Sequence, residues 1–238
     1  MRLEVAGEEI AAYGDVGGRC LLLHGAGEDA ALFAEQLHGV AGTWAVDLPG
    51  HGASAGSGRD GIEEYAQIVL ALLDHYATAP TVLGGHSMGG AIALSCSLAA
   101  PGRLAGLTLI STGGRLRVHP DLLSALSASD EMPAPFRDAL VAEGPADGML
   151  ARMAQPRPGV RHKDFLACNA FDVLARLGEI RLPALVLVGS RDAYTPRKYA
   201  ETLAQGLQGE LVVVEGAGHM LPLEAPGAVS LALARFLS

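Results

Sequence analysis

Glycine stands two residues either side of a serine in Gly85-His86-Ser87-Met88-Gly89. The pattern is Gly-x-Ser-x-Gly, a sharp turn between a strand and a helix in which the serine takes a strained backbone conformation. The glycines remove Cβ atoms that would clash there. Such a turn puts the Ser87 hydroxyl at the N-terminus of the next helix, where free N–H groups and the helix dipole favour a developing oxyanion. A serine hydroxyl is a poor nucleophile until a base takes its proton. His219, closing Glu215-Gly216-Ala217-Gly218-His219, is the natural base. Asp192, in Ser190-Arg191-Asp192, is the natural partner for its second ring nitrogen. With 31 glycines in 238 residues the pentapeptide alone is weak, so its setting has to decide.

That setting is a series of short apolar runs. Residues 2–6 and 9–13 alternate weakly around Gly7-Glu8 and predict an edge hairpin. Cys20-Leu21-Leu22-Leu23, Trp44-Ala45-Val46, Thr81-Val82-Leu83, residues 104–110, 182–189 and 211–214 predict buried parallel strands. Between them, helical spacing marks residues 30–40 (with Asp29 as a cap), 62–76, 88–99 and 197–205, and a closing helix over 224–237. Alternating strands and helices imply a mostly parallel sheet with helices on both faces. In such sheets functional groups collect at the carboxyl ends of strands, and Ala26, Ser87, Asp192 and His219 all follow predicted strands. Each placement is weak alone. The shared position and the order Ser, Asp, His make them strong together.

The rhythm stops at Ser111. Residues 113–181 hold no clear strand and several prolines, and carry nine basic and nine acidic residues. The whole net charge of −9 therefore lies in the rest of the chain. The domain reading is a core of residues 1–112 and 182–238 with a helical cap inserted at 113–181. Met132, Met149, Met153, Phe136, Phe165 and Phe171 fall in the cap and are expected to line its underside, because thioethers and rings suit an adaptable apolar pocket.

Half the residues are hydrophobic and only 18% charged, enough for a sizeable core. The acidic balance argues against nucleic acid as a partner. No run approaches the roughly 20 apolar residues of a membrane helix. No metal-binding spacing is present, and nothing in the motifs asks for a cofactor. Three widely separated cysteines, Cys20, Cys96 and Cys168, read as buried free thiols in a reducing compartment. With no signal-like segment after Met1, the expected location is the cytoplasm. Oligomeric state is not legible.

Over nearly its full length the chain resembles the α/β-hydrolase superfamily. The matching pieces are His24-Gly25-Ala26-Gly27, Asp47-Leu48-Pro49-Gly50-His51-Gly52, Gly85-His86-Ser87-Met88-Gly89-Gly90, Gly189-Ser190-Arg191-Asp192 and Gly216-Ala217-Gly218-His219. The resemblance implies the α/β-hydrolase fold, with an oxyanion hole on the backbone N–H groups of Ala26 and Met88. It also implies that the turn ending at Ser54 is structural. His24 is expected to organise its loop, and His86 to point away from the Ser87 hydroxyl. Asp47 and Asp172 are rival acids. The activity implied is that of a serine hydrolase cleaving carboxylic esters of small to medium apolar acyl substrates through an acyl-enzyme on Ser87. A lyase resembling the menaquinone-pathway synthase is the alternative; it would need Arg115, Arg117, Arg152 and Arg157 facing Ser87. A ligand receptor that keeps the fold is the non-enzymatic alternative.

Overall fold

The computed structural model describes residues 1–144 and 146–238. Among these residues eight strands form one sheet: β1 (Arg2–Val5), β2 (Glu8–Gly14), β3 (Cys20–Leu23), β4 (Thr43–Val46), β5 (Thr81–His86), β6 (Leu104–Ile110), β7 (Ala184–Gly189) and β8 (Glu210–Val214). Their spatial order is β1-β2-β4-β3-β5-β6-β7-β8. The β1–β2 hairpin and its junction with β4 are antiparallel, and every other pairing is parallel. The helices are α1 (Ala34–Gly39), α2 (Ile62–Tyr76), α3 (Met88–Ala99), α4 (Pro120–Ser129), α5 (Ala134–Asp138), α6 (Asp147–Leu150), α7 (Val160–Ala170), α8 (Arg197–Leu207), α9 (Leu221–Glu224) and α10 (Pro226–Phe236).

Period-two alternation along the strands divides the core between the two faces of the sheet. Leu21, Leu23, Leu83, Leu107, Leu109, Val186 and Val188 pack with α2, α3 and α8. Cys20, Leu22, Val82, Ile110, Leu185 and Leu187 pack with α10 and the 3₁₀ turn Ala30–Phe33. β3 through β7 thus have both faces covered, which is why they read as continuous apolar runs rather than alternating ones. All three cysteines are buried and unpaired.

Two helical expectations are corrected at their ends. Residues 30–40 form a 3₁₀ turn followed by α1, with the Asp29 carboxylate accepting the Ala31 N–H at the start. The closing helix is split: Ala225 takes a non-helical backbone before Pro226, which has no N–H to continue the turn, so α9 and α10 are separate. Between β6 and β7 the described residues form α4 to α7, a 3₁₀ segment over Leu174–Glu179 and an isolated bridge, Arg115 to Asp172. Among the described residues no helix is long and apolar enough to cross a membrane.

Candidate active site

Ser87 joins β5 to α3 with φ 50° and ψ −113°, outside the regions an L-residue ordinarily occupies. Such a conformation costs of order 1–3 kcal/mol and persists only where its surroundings impose it. Here they do. The Ser87 N–H donates to Ile110 O (2.9 Å), and Ser87 O accepts from the Thr112 hydroxyl (2.7 Å). A Cβ at Gly85 would overlap the backbone of Gly89, and one at Gly89 the backbone of Leu23. Glycine at those two positions lets α3 start directly against β5 and β3.

Asp192 and His219 arrive from the loops after β7 and β8, both almost fully buried. His219 Nδ1 lies 3.0 Å from both carboxylate oxygens of Asp192. The same carboxylate accepts the N–H groups of Tyr194 (2.9 Å) and Thr195 (2.8 Å) and the Thr195 hydroxyl (2.8 Å). Burial alone would raise the Asp192 pKa. The charge and hydrogen bond of His219, with the Thr195 donors, outweigh it and hold the carboxyl below its ordinary value. With a carboxylate on Nδ1, the proton of neutral His219 sits there and Nε2 is left with its lone pair. Tyr194 stacks on the His219 ring, centroids 5.1 Å apart. From the loop between α5 and α6, Leu140 O accepts the N–H groups of His219 and Met220, both at 3.1 Å.

Ser87 and His219 line one cavity of about 500 Å³, with Ala26 and Gly27 on its wall. Among the described residues the Ser87 hydroxyl makes no hydrogen bond to His219, an opening common in unliganded sites. The loop carrying Ala26 shows a selective pattern. Gly25 N–H donates to Glu28 Oε2 (2.6 Å), Gly27 N–H to Asp164 Oδ2 (2.9 Å) and Glu28 N–H to Gly25 O (3.3 Å). Among the described residues the N–H groups of Ala26 and Met88 have no protein acceptor. These are the two donors expected of an oxyanion hole.

The expected pocket is only partly what lines the cavity. Met132, Met153 and Phe165 are on its wall; Met149, Phe136 and Phe171 are not. Phe171 is packed into the core on the face of the sheet that α2, α3 and α8 cover, its carbonyl accepting the Leu116 N–H. Phe136 turns to the His119 ring (5.6 Å), and Met149 packs against the core on the α10 side of the sheet. The wall is also more polar than expected: Glu28, Glu131, Arg137, Asp147, Gln155 and Arg161 contribute to it. Arg115, Arg117, Arg152 and Arg157 do not line it. Arg115 and Arg117 pair with Asp172 at half-exposed positions, and the Arg157 guanidinium bonds Ser54 O. Nor do the rival acids line it. Asp47 accepts Ala30 N–H, Ala53 N–H and the Tyr13 hydroxyl in the turn that ends at Ser54.

Besides His219, the histidines His24, His51 and His86 are buried, and their partners set their charge. His24 Nδ1 faces an acceptor, Gly25 O (2.8 Å), while Nε2 accepts Leu48 N–H (2.9 Å). One proton suffices, and burial, together with the nearby His51, pushes its pKa down to about 4. His51 faces acceptors on both sides, Pro49 O (3.1 Å) and Asp164 Oδ2 (2.8 Å). Burial opposes its charge, but Asp164 outweighs burial and raises the pKa. His86 resembles His51 in this respect. Asp164 and Glu28, which anchor these rings, were not legible as site residues. Asp164 was detectable in principle, since it sits with Val160, Ala167 and Cys168 on the buried stripe of α7, where an unpaired charge is not expected.

This arrangement, an elbow serine with an Asp-paired histidine at later strand ends of a mostly parallel sheet, defines an α/β-hydrolase fold. Residues 20–232 match the alpha/beta hydrolase family, and the chain belongs to it. Among its relatives, the dihydrolipoyllysine-residue acetyltransferase component of the acetoin cleaving system of Pseudomonas putida is 34% identical over 94% of this chain. This chain spans only 64% of that protein's length. The pimeloyl-[acyl-carrier protein] methyl ester esterase of Neisseria meningitidis serogroup C is 30% identical over 83% of this chain and 85% of its own. The solved structure of a thermophilic esterase is 31% identical and superposes with a TM-score of 0.85 over 100% of this chain and 96% of that one. The chain is thus an α/β hydrolase with esterase and lipase relatives.

Proposed function

We propose that the chain is a serine hydrolase that cleaves carboxylic esters of small to medium acyl substrates. The observation that carries this reading is the convergence of a strained Ser87, a His219 oriented by Asp192 and the free Ala26 N–H on one cavity. His219 Nε2 takes the proton of Ser87 as its oxygen attacks the ester carbonyl. Asp192 stabilises the imidazolium that forms. The N–H groups of Ala26 and Met88 receive the oxyanion, a contribution typically worth about 3–4 kcal/mol of barrier for a single donor. His219 returns the proton to the leaving alcohol, and water then releases the acid from Ser87 by the reverse sequence.

Residues 113–181 act in this reading as a helical cap over a core of 1–112 and 182–238. It supplies Met132, Met153 and Phe165 to the substrate. The unpaired buried cysteines support a reducing compartment, in this reading the cytoplasm. The mixed polar and apolar wall suits a substrate with one polar substituent beside its acyl chain rather than a purely apolar one. A chain-length series of p-nitrophenyl esters tests the reading. Hydrolysis should occur, Ser87→Ala should abolish it, and a fluorophosphonate probe should label the wild type at Ser87 alone. A purified, folded protein that hydrolyses no acyl substrate and resists the probe would refute it.

A further inference from the structure

The residue before the nucleophile is a histidine with no route to solvent. His86 is fully buried at the end of β5. Its Nδ1 lies 3.0 Å from Glu28 Oε2 and its Nε2 lies 2.9 Å from His219 O. A carboxylate oxygen and a carbonyl oxygen both only accept. Both ring nitrogens must therefore carry protons for both contacts to be hydrogen bonds, which makes His86 an imidazolium. Glu28 is then its counter-ion. The same Oε2 accepts Gly25 N–H at 2.6 Å, and the loop wraps the carboxylate so closely that a Cβ at Gly25 would lie 2.7 Å from it. The charges agree with this geometry. Burial opposes ionisation of both groups, yet each raises or lowers the other toward its charged form.

We propose that Glu28 and His86 are positioning residues, a buried carboxylate–imidazolium clamp that ties the oxyanion loop, the nucleophile elbow and the histidine loop into one unit. The inference rests on the reading of Ser87 and His219 as nucleophile and base. Three loops from separate strands meet here, and each is held by an atom of the pair: Gly25 N–H from the loop after β3, His86 itself from β5, and His219 O from the loop after β8. Gly25 N–H is committed to Glu28, while the neighbouring Ala26, on the cavity wall, has no protein acceptor for its N–H among the described residues. With the His219 carbonyl held by His86 and its ring by Asp192, the imidazole is fixed at both ends. The clamp has a charge role as well. Glu28 lines the cavity beside Ala26, and a bare carboxylate there would oppose the oxyanion; the His86 cation cancels it. The groups facing His86 are Glu28, the His219 ring at 4.8 Å and, beyond that ring, Asp192.

The test uses Glu28→Gln and His86→Gln in the full chain, together with ¹⁵N NMR of the wild-type histidines. Glu28→Gln keeps the shape and an acceptor but removes the charge. It should lower kcat for a p-nitrophenyl ester about 10- to 100-fold per fluorophosphonate-titratable site, as expected of a small misplacement of reacting groups, with KM nearly unchanged. Both ring nitrogens of wild-type His86 should carry protons at pH 8, and one should lose its proton in Glu28→Gln. Single protonation of wild-type His86 at that pH would overturn the proposal, and so would a folded Glu28→Gln with wild-type kcat. If neither variant folds, the wild-type spectrum decides. That spectrum does not depend on turnover, so an inactive wild type would refute the esterase reading without deciding the state of His86.

Discussion

Asp164 offers the sharpest quantitative test of how α7 is tied to the core. It lies on α7, fully buried, and accepts three hydrogen bonds from elsewhere in the chain: Gly27 N–H (2.9 Å), His51 Nε2–H (2.8 Å) and the Tyr65 hydroxyl (2.7 Å). Asp164→Ala leaves all three donors without an acceptor. An orphaned buried donor costs about 1–3 kcal/mol, and breaking a buried charge pair from one side about 3–5 kcal/mol. The costs overlap, because His51 can discharge once its partner is gone. We therefore expect a total loss of about 3–5 kcal/mol, a large share of the roughly 5–15 kcal/mol that holds a domain together. Asp164→Asn keeps an oxygen for one donor and should lose about 2–3 kcal/mol. The pH dependence has a definite sign. The folded pKa of His51 is raised, so its contribution is fully present below the unfolded value of about 6.5 and is lost as pH rises through the folded pKa. The gap between wild type and Asp164→Asn should therefore be wider at pH 6 than at pH 9. Urea unfolding reads this directly, followed by the fluorescence of Trp44, the single tryptophan and fully buried. A loss below about 1 kcal/mol for Asp164→Ala, or a gap that widens as pH rises, would refute the reasoning.

Four further substitutions test the same geometry. Gly89→Ala gains up to about 1 kcal/mol of helix propensity but drives a Cβ into the Leu23 backbone, so it should lose about 3 kcal/mol or fail to fold. Gly227→Ala, in α10 with open space around the added methyl, should be neutral or stabilising by up to about 1 kcal/mol; thermal melts of the two variants would expose any error in this contrast. Asp192→Asn should cut kcat and the rate of fluorophosphonate labelling together, by about 10⁴-fold, while far-UV circular dichroism shows the protein still folded. The wild-type carboxylate, held below its ordinary pKa, should contribute stability above about pH 4 that is lost as pH falls through its folded value. Phe165→Ala, which enlarges the cavity wall, should shift kcat/KM toward longer acyl chains by about 10-fold in an ester series; an unchanged profile would mean the chain does not bind against α7.

What the sequence disclosed and what it hid differ in a physical way. The sheet was legible because a parallel strand covered on both faces has to be apolar at every position, and Cys20–Leu23 or Ala184–Gly189 can be little else. Ser87, Asp192 and His219 were legible because each follows such a strand, so one-dimensional order maps directly onto one edge of the sheet. Glu28, His86 and Asp164 were not. Their meaning lies in partners 58, 133, 99 and 113 residues away, and nothing local distinguishes a glutamate facing solvent from one bonded to a buried imidazole. The division of the six Met and Phe residues had the same cause. Residues 113–181 are short helices and turns without a sheet to fix register, so helical spacing alone could not tell Phe165, on the cavity wall, from Phe171, six residues on and turned into the core. The cavity-facing surface is therefore set by long-range polar ties. Asp164 holds Gly27, Leu140 holds the His219 loop, and Glu224 accepts Ala142 N–H and Gly218 N–H at once. These ties connect residues 113–181 to the same two loops that carry Ala26 and His219. A change in that segment thus reaches the two loops that carry Ala26 and His219, and with them the oxyanion donation and proton transfer of the proposed esterase reaction.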